Sequence, residues 1–156
     1  MRLIADALRT GNVHLSLRSR GPADALEEIL RDLRSDDRVR DWERLHDSLV
    51  ANTASDVLRG IPSAMFLHHS RTSSVTDLVL AAGRHPEGLD LPGEAGLAAP
   101  VRLVFVAAIP EALNSEYLRA LGGIARICGD PGSLGELLAA DSPETFVSLL
   151  ERGCGS

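Results

Sequence analysis

Val101-Arg102-Leu103-Val104-Phe105-Val106-Ala107-Ala108 is the strongest strand signal in the chain, and Pro110 ends it. A helical pattern follows at once, with Tyr117, Leu118, Leu121, Ile124 and Ala125 on its expected inward side. A strand feeding a helix in this way points to an α/β architecture. Gly122-Gly123 inside that helix costs about 1 kcal/mol per glycine relative to alanine, which predicts close packing there.

The rest of the chain supports the same class. Residues 2–8 read as a helical turn, and Val13-His14-Leu15-Ser16-Leu17 alternates with period two, as a half-buried strand does. Pro22 opens a helix whose apolar stripe is Ala25, Leu26, Ile29, Leu30 and Leu33. Asp24, Glu27 and Glu28 come early and Arg31 and Arg34 late, the order that the helix dipole favours. Asp41 can cap a second helix with Trp42, Leu45, His46 and Leu49 on one face. Gly60-Ile61-Pro62-Ser63 reads as a loop. Ala64-Met65-Phe66-Leu67 suits a buried strand that delivers His68-His69-Ser70-Arg71 to the surface. Val75–Ala82 is strand-like, and residues 83–100 form a Gly/Pro-rich loop. Ser133-x-x-Glu136 is a capping-box signature, and Ser142-Pro143 opens a last helix with Phe146, Leu149 and Leu150 apolar. The expected fold is one α/β domain over residues 1–152, a central mixed sheet flanked by helices, with residues 153–156 as a frayed tail.

Composition narrows the function. With 156 residues the chain can bury one substantial core, and with 3% aromatic residues that core must be aliphatic. Few aromatics and a net charge of −6, with no lysine at all, argue against a nucleic-acid binder. Cys128 and Cys154 are too few for a disulfide framework and lack metal-ligand spacing. Cys128 reads as a small core residue. No stretch approaches the ~18–20 apolar residues of a membrane span, so a reduced, cytoplasmic protein is expected.

Chemistry near neutral pH falls to five histidines. His14 sits in a strand and His46 on a helix face, both read as structural. His85 stands in a turn, where a solvated side chain is the default. His68-His69 differs because it closes an apolar strand and opens the turn Ser70-Arg71-Thr72-Ser73-Ser74. Adjacent side chains on an extended backbone point to opposite faces, so only one of the pair can enter a given pocket, which argues against a shared metal. An imidazole of ordinary pKa, ~6.5, is a good nucleophile toward phosphorus, and its phosphorylated form is a reactive donor. Ser70, Thr72 and Arg71 can hold phosphoryl oxygens.

Ala64-Met65-Phe66-Leu67-His68-His69-Ser70-Arg71 resembles the motif Gly-Ile-Ala-Ile-Pro-His-Ala/Gly-Arg/Lys of mannitol/fructose/nitrogen-type enzyme IIA domains of the bacterial phosphotransferase system. Pro86-Glu87-Gly88-Leu89-Asp90, the strand from Pro100 to Val106, and the helix with Tyr117-Leu118-Arg119-Ala120-Leu121 and Ile124-Ala125-Arg126-Ile127 are similar to that family in order and spacing. The resemblance implies a three-layer sandwich with His69 as the phosphorylated histidine and no cofactor or metal. It implies two partners, a histidine phosphocarrier protein that donates the phosphoryl group and an enzyme IIB domain or regulatory target that receives it. Nucleic acid and direct membrane insertion are not implied.

Several departures from the family fall near His69. Thr53 stands where the family has an arginine, Tyr117 where it has a second histidine, and His68 where it has proline. Arg59 or Arg71 can supply the missing cation, and the Tyr117 hydroxyl can donate a hydrogen bond. Ser70 and His68 complete the expected phosphoryl-pocket set. Two readings stay open on sequence alone: a working phosphoryl carrier, or a degenerate enzyme IIA-like regulatory or binding module.

Overall fold

The apolar run becomes β5 (Leu103–Ile109), and every one of its residues is buried. In the computed structural model, which describes residues 2–51, 57–58, 65–90 and 100–155, β5 is the middle strand of a five-stranded sheet ordered β1-β4-β5-β3-β2. The other strands are β1 (Val13–His14), β2 (Val57–Leu58), β3 (Met65–Arg71) and β4 (Val79–Arg84). β5 runs parallel to β3 and antiparallel to β4, while β1 is parallel to β4 and β2 antiparallel to β3. The sheet is therefore mixed.

Helices cover both faces. Residues of α1 (Leu3–Ala7), α4 (Asn114–Gly129), α5 (Pro131–Ala139) and α6 (Pro143–Arg152) share one apolar cluster with Met65, Leu67, Leu80, Leu103 and Phe105. Residues of α2 (Pro22–Leu33) and α3 (Trp42–Ala51) share the other with Phe66, Val79, Ala81, Val104 and Val106. The strand period of two sends alternate residues of β3, β4 and β5 to opposite clusters, which makes the three layers. The α/β sandwich expected from the sequence is what forms.

Local differences have identifiable causes. The period-two segment at residues 13–17 pairs as a strand only over Val13–His14. Beyond it, Arg84 Nε donates to Leu15 O at 3.1 Å and Leu17 N donates to Arg84 O at 2.9 Å. The strand expected at 75–82 is displaced to Val79–Arg84, because Val75 bridges Val39 and Thr76 N donates to Arg38 O. Gly83 is not a turn residue. A Cβ there would lie 2.7 Å from Ile29 Cδ1, so the glycine lets α2 approach the sheet.

On α4 the buried stripe is Tyr117, Ala120, Gly123, Ile124, Ile127 and Cys128. Leu118, expected inward, is 53% exposed. Of the two glycines only Gly123 is closely packed: a Cβ would lie 2.6 Å from Cys154 Sγ, whereas nothing lies within 4 Å of one at Gly122. Cys154 is thus packed on α4 instead of frayed. Ser133 is not an N-cap. Asp130 holds that position and its carboxylate accepts from Ser133 N at 2.9 Å. Ser142 caps α6 as expected, accepting from Thr145 N. His85 is only 3% exposed, and its Nδ1 accepts from Glu87 N and Gly88 N, both at 3.0 Å. It organises the turn in which Gly88 adopts φ 109°, instead of standing in solvent.

Candidate functional site

β3 runs through the histidine pair to Arg71, so the strand does not end where its apolar residues do. Backbone pairing continues from Met65↔Leu103 to Arg71↔Ile109, with His69 opposite Ala107. The alternation then separates the pair. Met65 and Leu67 point into the cluster beneath α4, and His69 and Arg71 follow them at the same period. Phe66 points to the α2–α3 side, and His68 and Ser70 follow it.

His68 is 1% exposed and lies nearly parallel to the Phe66 ring, 5.8 Å between centroids. Ser70 is also buried, and its Oγ lies 2.7 Å from Ser48 Oγ of α3. Ser48 spends its own proton on Leu45 O at 3.0 Å, so Ser70 is the donor between the hydroxyls. These two residues were expected in the phosphoryl pocket. The structure sends both side chains to the other face of the sheet, where His68 stacks on Phe66 and Ser70 ties α3 to the strand behind the site.

On the α4 face the picture is different. His69 is partly exposed, with Nδ1 sealed from solvent. Its ring lies 6.4 Å from that of Tyr117, 23° from parallel. Tyr117 is 4% exposed and held in the stripe that α4 buries on the sheet. The Arg71 guanidinium carbon sits 5.8 Å from the centre of the same Tyr117 ring. Arg71 Nε donates to Asn114 Oδ1 at 2.9 Å. The structure therefore gathers His69, Tyr117 and Arg71 from the expected set. It adds Asn114, the first residue of α4, which no motif flagged. Thr53 and Arg59 lie outside the described residues. Among the described residues no group of histidine, cysteine and carboxylate side chains can hold a metal ion.

The remaining titratable groups of interest are structural. Burial pushes the Cys128 thiol up to about 12, which leaves it inert as a nucleophile. Burial lowers His14, partly offset by Asp32. Among the described residues no helix is long and apolar enough to cross a membrane.

Comparison with known proteins bears on the family and the fold. Residues 7–153 match the model of the family described as phosphoenolpyruvate-dependent sugar phosphotransferase system, EIIA 2. The chain is 24% identical over 149 residues to the PTS system fructose-specific EIIABC component of Bacillus subtilis (strain 168), covering 96% of this chain and 23% of that protein. It thus spans just under a quarter of that relative's length. Nitrogen regulatory protein IIA-Ntr from Neisseria meningitidis has a TM-score of 0.70 at 22% identity, covering 95% of this chain and 99% of that one. The mannitol IIA of Escherichia coli has a TM-score of 0.65 at 16% identity, covering 90% and 96%. These structural likenesses show a shared fold, and the sequence model spans nearly the whole chain. The chain belongs to the EIIA 2 family of the phosphoenolpyruvate-dependent sugar phosphotransferase system.

Proposed function

We propose that this domain carries a phosphoryl group on His69 Nε2, taken from the phosphohistidine of a histidine phosphocarrier protein in the cytoplasm. The observation that carries the reading is the setting of His69: a partly exposed ring at the outer end of β3, with Nδ1 closed off and Tyr117 against it. A donor arriving from solution can reach only Nε2. With its proton on Nδ1, the neutral ring offers the Nε2 lone pair for in-line attack on phosphorus. The P–N bond of the donor breaks as the new P–N bond forms. The donor ring, protonated on its other nitrogen, leaves as neutral imidazole, and the product is an Nε2-phosphoimidazolium, so no proton has to cross between the proteins. A second in-line displacement hands the group on: a nucleophile of an enzyme IIB domain or a regulatory target attacks phosphorus, the Nε2–P bond breaks, and His69 leaves as neutral imidazole with its proton still on Nδ1.

Incubation with phosphoenolpyruvate, enzyme I and the phosphocarrier protein tests this. An acid-labile, alkali-stable phosphate on His69, absent in His69→Ala, is the expected result. An unlabelled chain under conditions that fully charge a control domain would overturn it and leave the binding-module reading, which the replacements at Thr53 and Tyr117 motivate.

A further inference from the structure

We infer that Arg71 is the cation that neutralises the phosphoryl group on His69, and that Asn114 is its positioning residue. The inference rests on His69 being the acceptor, and it assigns the polar half of that site. Arg71 follows His69 by two residues on the same face of β3, a rise of about 6.5–7 Å. That separation is too long for contact between the two side chains' roots, but within reach of a guanidinium folded back along the strand. Arg71 lies over the Tyr117 ring, and the Tyr117 ring is also the neighbour of His69. The Tyr117 ring is thus a neighbour that both groups share.

An exposed arginine ordinarily samples many rotamers, and ordering it has an entropic cost. Two contacts offset that cost here. The cation–π contact with Tyr117 sets the height of the guanidinium, and the Asn114 amide oxygen takes Nε at 2.9 Å. Among the described residues neither terminal nitrogen of Arg71 has a hydrogen-bond partner. Using Nε for anchorage leaves the forked pair of terminal N–H groups for phosphoryl oxygens, which a lysine in the same place cannot do.

Asn114 is the first helical residue of α4, following Leu113 at the cap position. Its backbone is already helical, so its position is fixed by the helix, and its side-chain oxygen is directed to Arg71 Nε.

The test uses the full chain and measures initial phosphoryl-transfer rates against phosphocarrier concentration. It also measures the hydrolysis half-life of the phosphohistidine after loading with phosphoramidate, a donor that needs no partner protein. Arg71→Ala is expected to lower the transfer rate constant about 100-fold with KM unchanged. Asn114→Ala should lower it about 10- to 100-fold by the same route. Arg71→Lys should fail to rescue, whereas millimolar guanidinium ion should restore part of the rate to Arg71→Ala and none to Arg119→Ala, an exposed control with no loss of its own. If wild type is labelled on His69 by either donor and both Arg71→Ala and Asn114→Ala match it in rate and half-life, this inference is wrong while the acceptor assignment stands. If neither donor labels wild type, the acceptor assignment fails and takes the inference with it.

Discussion

The Tyr117 ring stands 6.4 Å from His69 and 5.8 Å from the Arg71 guanidinium carbon, so one buried phenol ring contacts both residues that would handle a phosphoryl group. Both distances are to the ring, which Tyr117→Phe preserves. Tyr117→Phe keeps the ring and should retain near-wild-type phosphoryl transfer. Tyr117→Ala removes a buried aromatic side chain, which should cost about 3–5 kcal/mol of stability and leave both neighbours unpositioned. Urea unfolding and the labelling assay, run on the same preparations, separate the two losses. Transfer abolished in Tyr117→Phe would show instead that the hydroxyl is the working group.

Adjacent glycines on α4 should respond with opposite signs. Gly122→Ala adds a methyl into open space and gains helix propensity, so it should stabilise by about 1 kcal/mol. Gly123→Ala gains the same propensity but drives its methyl to 2.6 Å from Cys154 Sγ and 3.0 Å from Cys154 N. Backbone at that distance cannot simply step aside, and overpacking of this kind costs about 1–3 kcal/mol. Thermal denaturation of the two variants decides it. A stabilised Gly123→Ala would mean that the C-terminal residues do not rest on α4 in solution.

The legible and illegible parts of this chain divide along physical lines. β5 was plain because its apolar run is unbroken and Pro110 follows it, and α2 because its apolar residues recur at helical spacing after Pro22. The two-sided alternation at His68-His69 was also legible, since extended backbone leaves no other choice. The destination of Ser70 followed from that same rule, yet its hydroxyl and its nearness to His69 along the chain drew it into the expected pocket; the hydroxyl instead meets Ser48 on the far face. Leu118 was misjudged because leucine on a helix looks like core, whereas the stripe that packs consists of small residues around Tyr117 and Ile124. Asn114 and the buried turn role of His85 gave no sequence signal. Each depends on a partner distant along the chain or on backbone N–H groups that a motif does not display.

Asp36 should set the acid limit of the fold. Its carboxylate is held well below the usual carboxylate range, first by the Arg38 side chain, against the opposing cost of burial, and then by Arg38 N and Asn12. Arg38 NH2 lies 2.7 Å from Asp36 Oδ2, and Arg38 NH1 donates to Ala7 O and Leu78 O, so the pair ties α1 to the start of β4. A depressed carboxylate contributes stability that is complete above its unfolded pKa, about 3.9, and is lost as pH falls below that value toward the folded one. Wild type should therefore lose stability steadily below about pH 4. Asp36→Asn leaves Arg38 buried without its counter-charge, and should cost about 3–5 kcal/mol at neutral pH while flattening the acid dependence. Denaturant midpoints between neutral pH and acid, measured for both proteins, show whether the slope belongs to this group.

His46 of α3 lies 2.6 Å from Glu27 of α2 and 3.3 Å from Asp47, and against Trp42. Burial disfavours its charged form, but the two carboxylates outweigh burial and the net shift is upward. A raised histidine contributes stability that is fully present below its unfolded pKa, about 6.5, and disappears as pH rises through the higher folded value. The α2–α3 contact should accordingly be firmer at pH 6 than at pH 8. Glu27 and Asp47 are both mostly solvent-exposed, which limits the effect to under about 1 kcal/mol and makes it salt-sensitive. His46→Gln should match wild type at pH 8 and fall below it at pH 6. Because α3 is also pinned to β3 through Ser48 and Ser70, amide exchange at the end of α3 should accelerate with the same pH profile in wild type and lose that profile in His46→Gln. An exchange rate in wild type with no trace of the histidine titration would mean that the Ser48–Ser70 bond and the Leu45 and Leu49 contacts alone hold the helix.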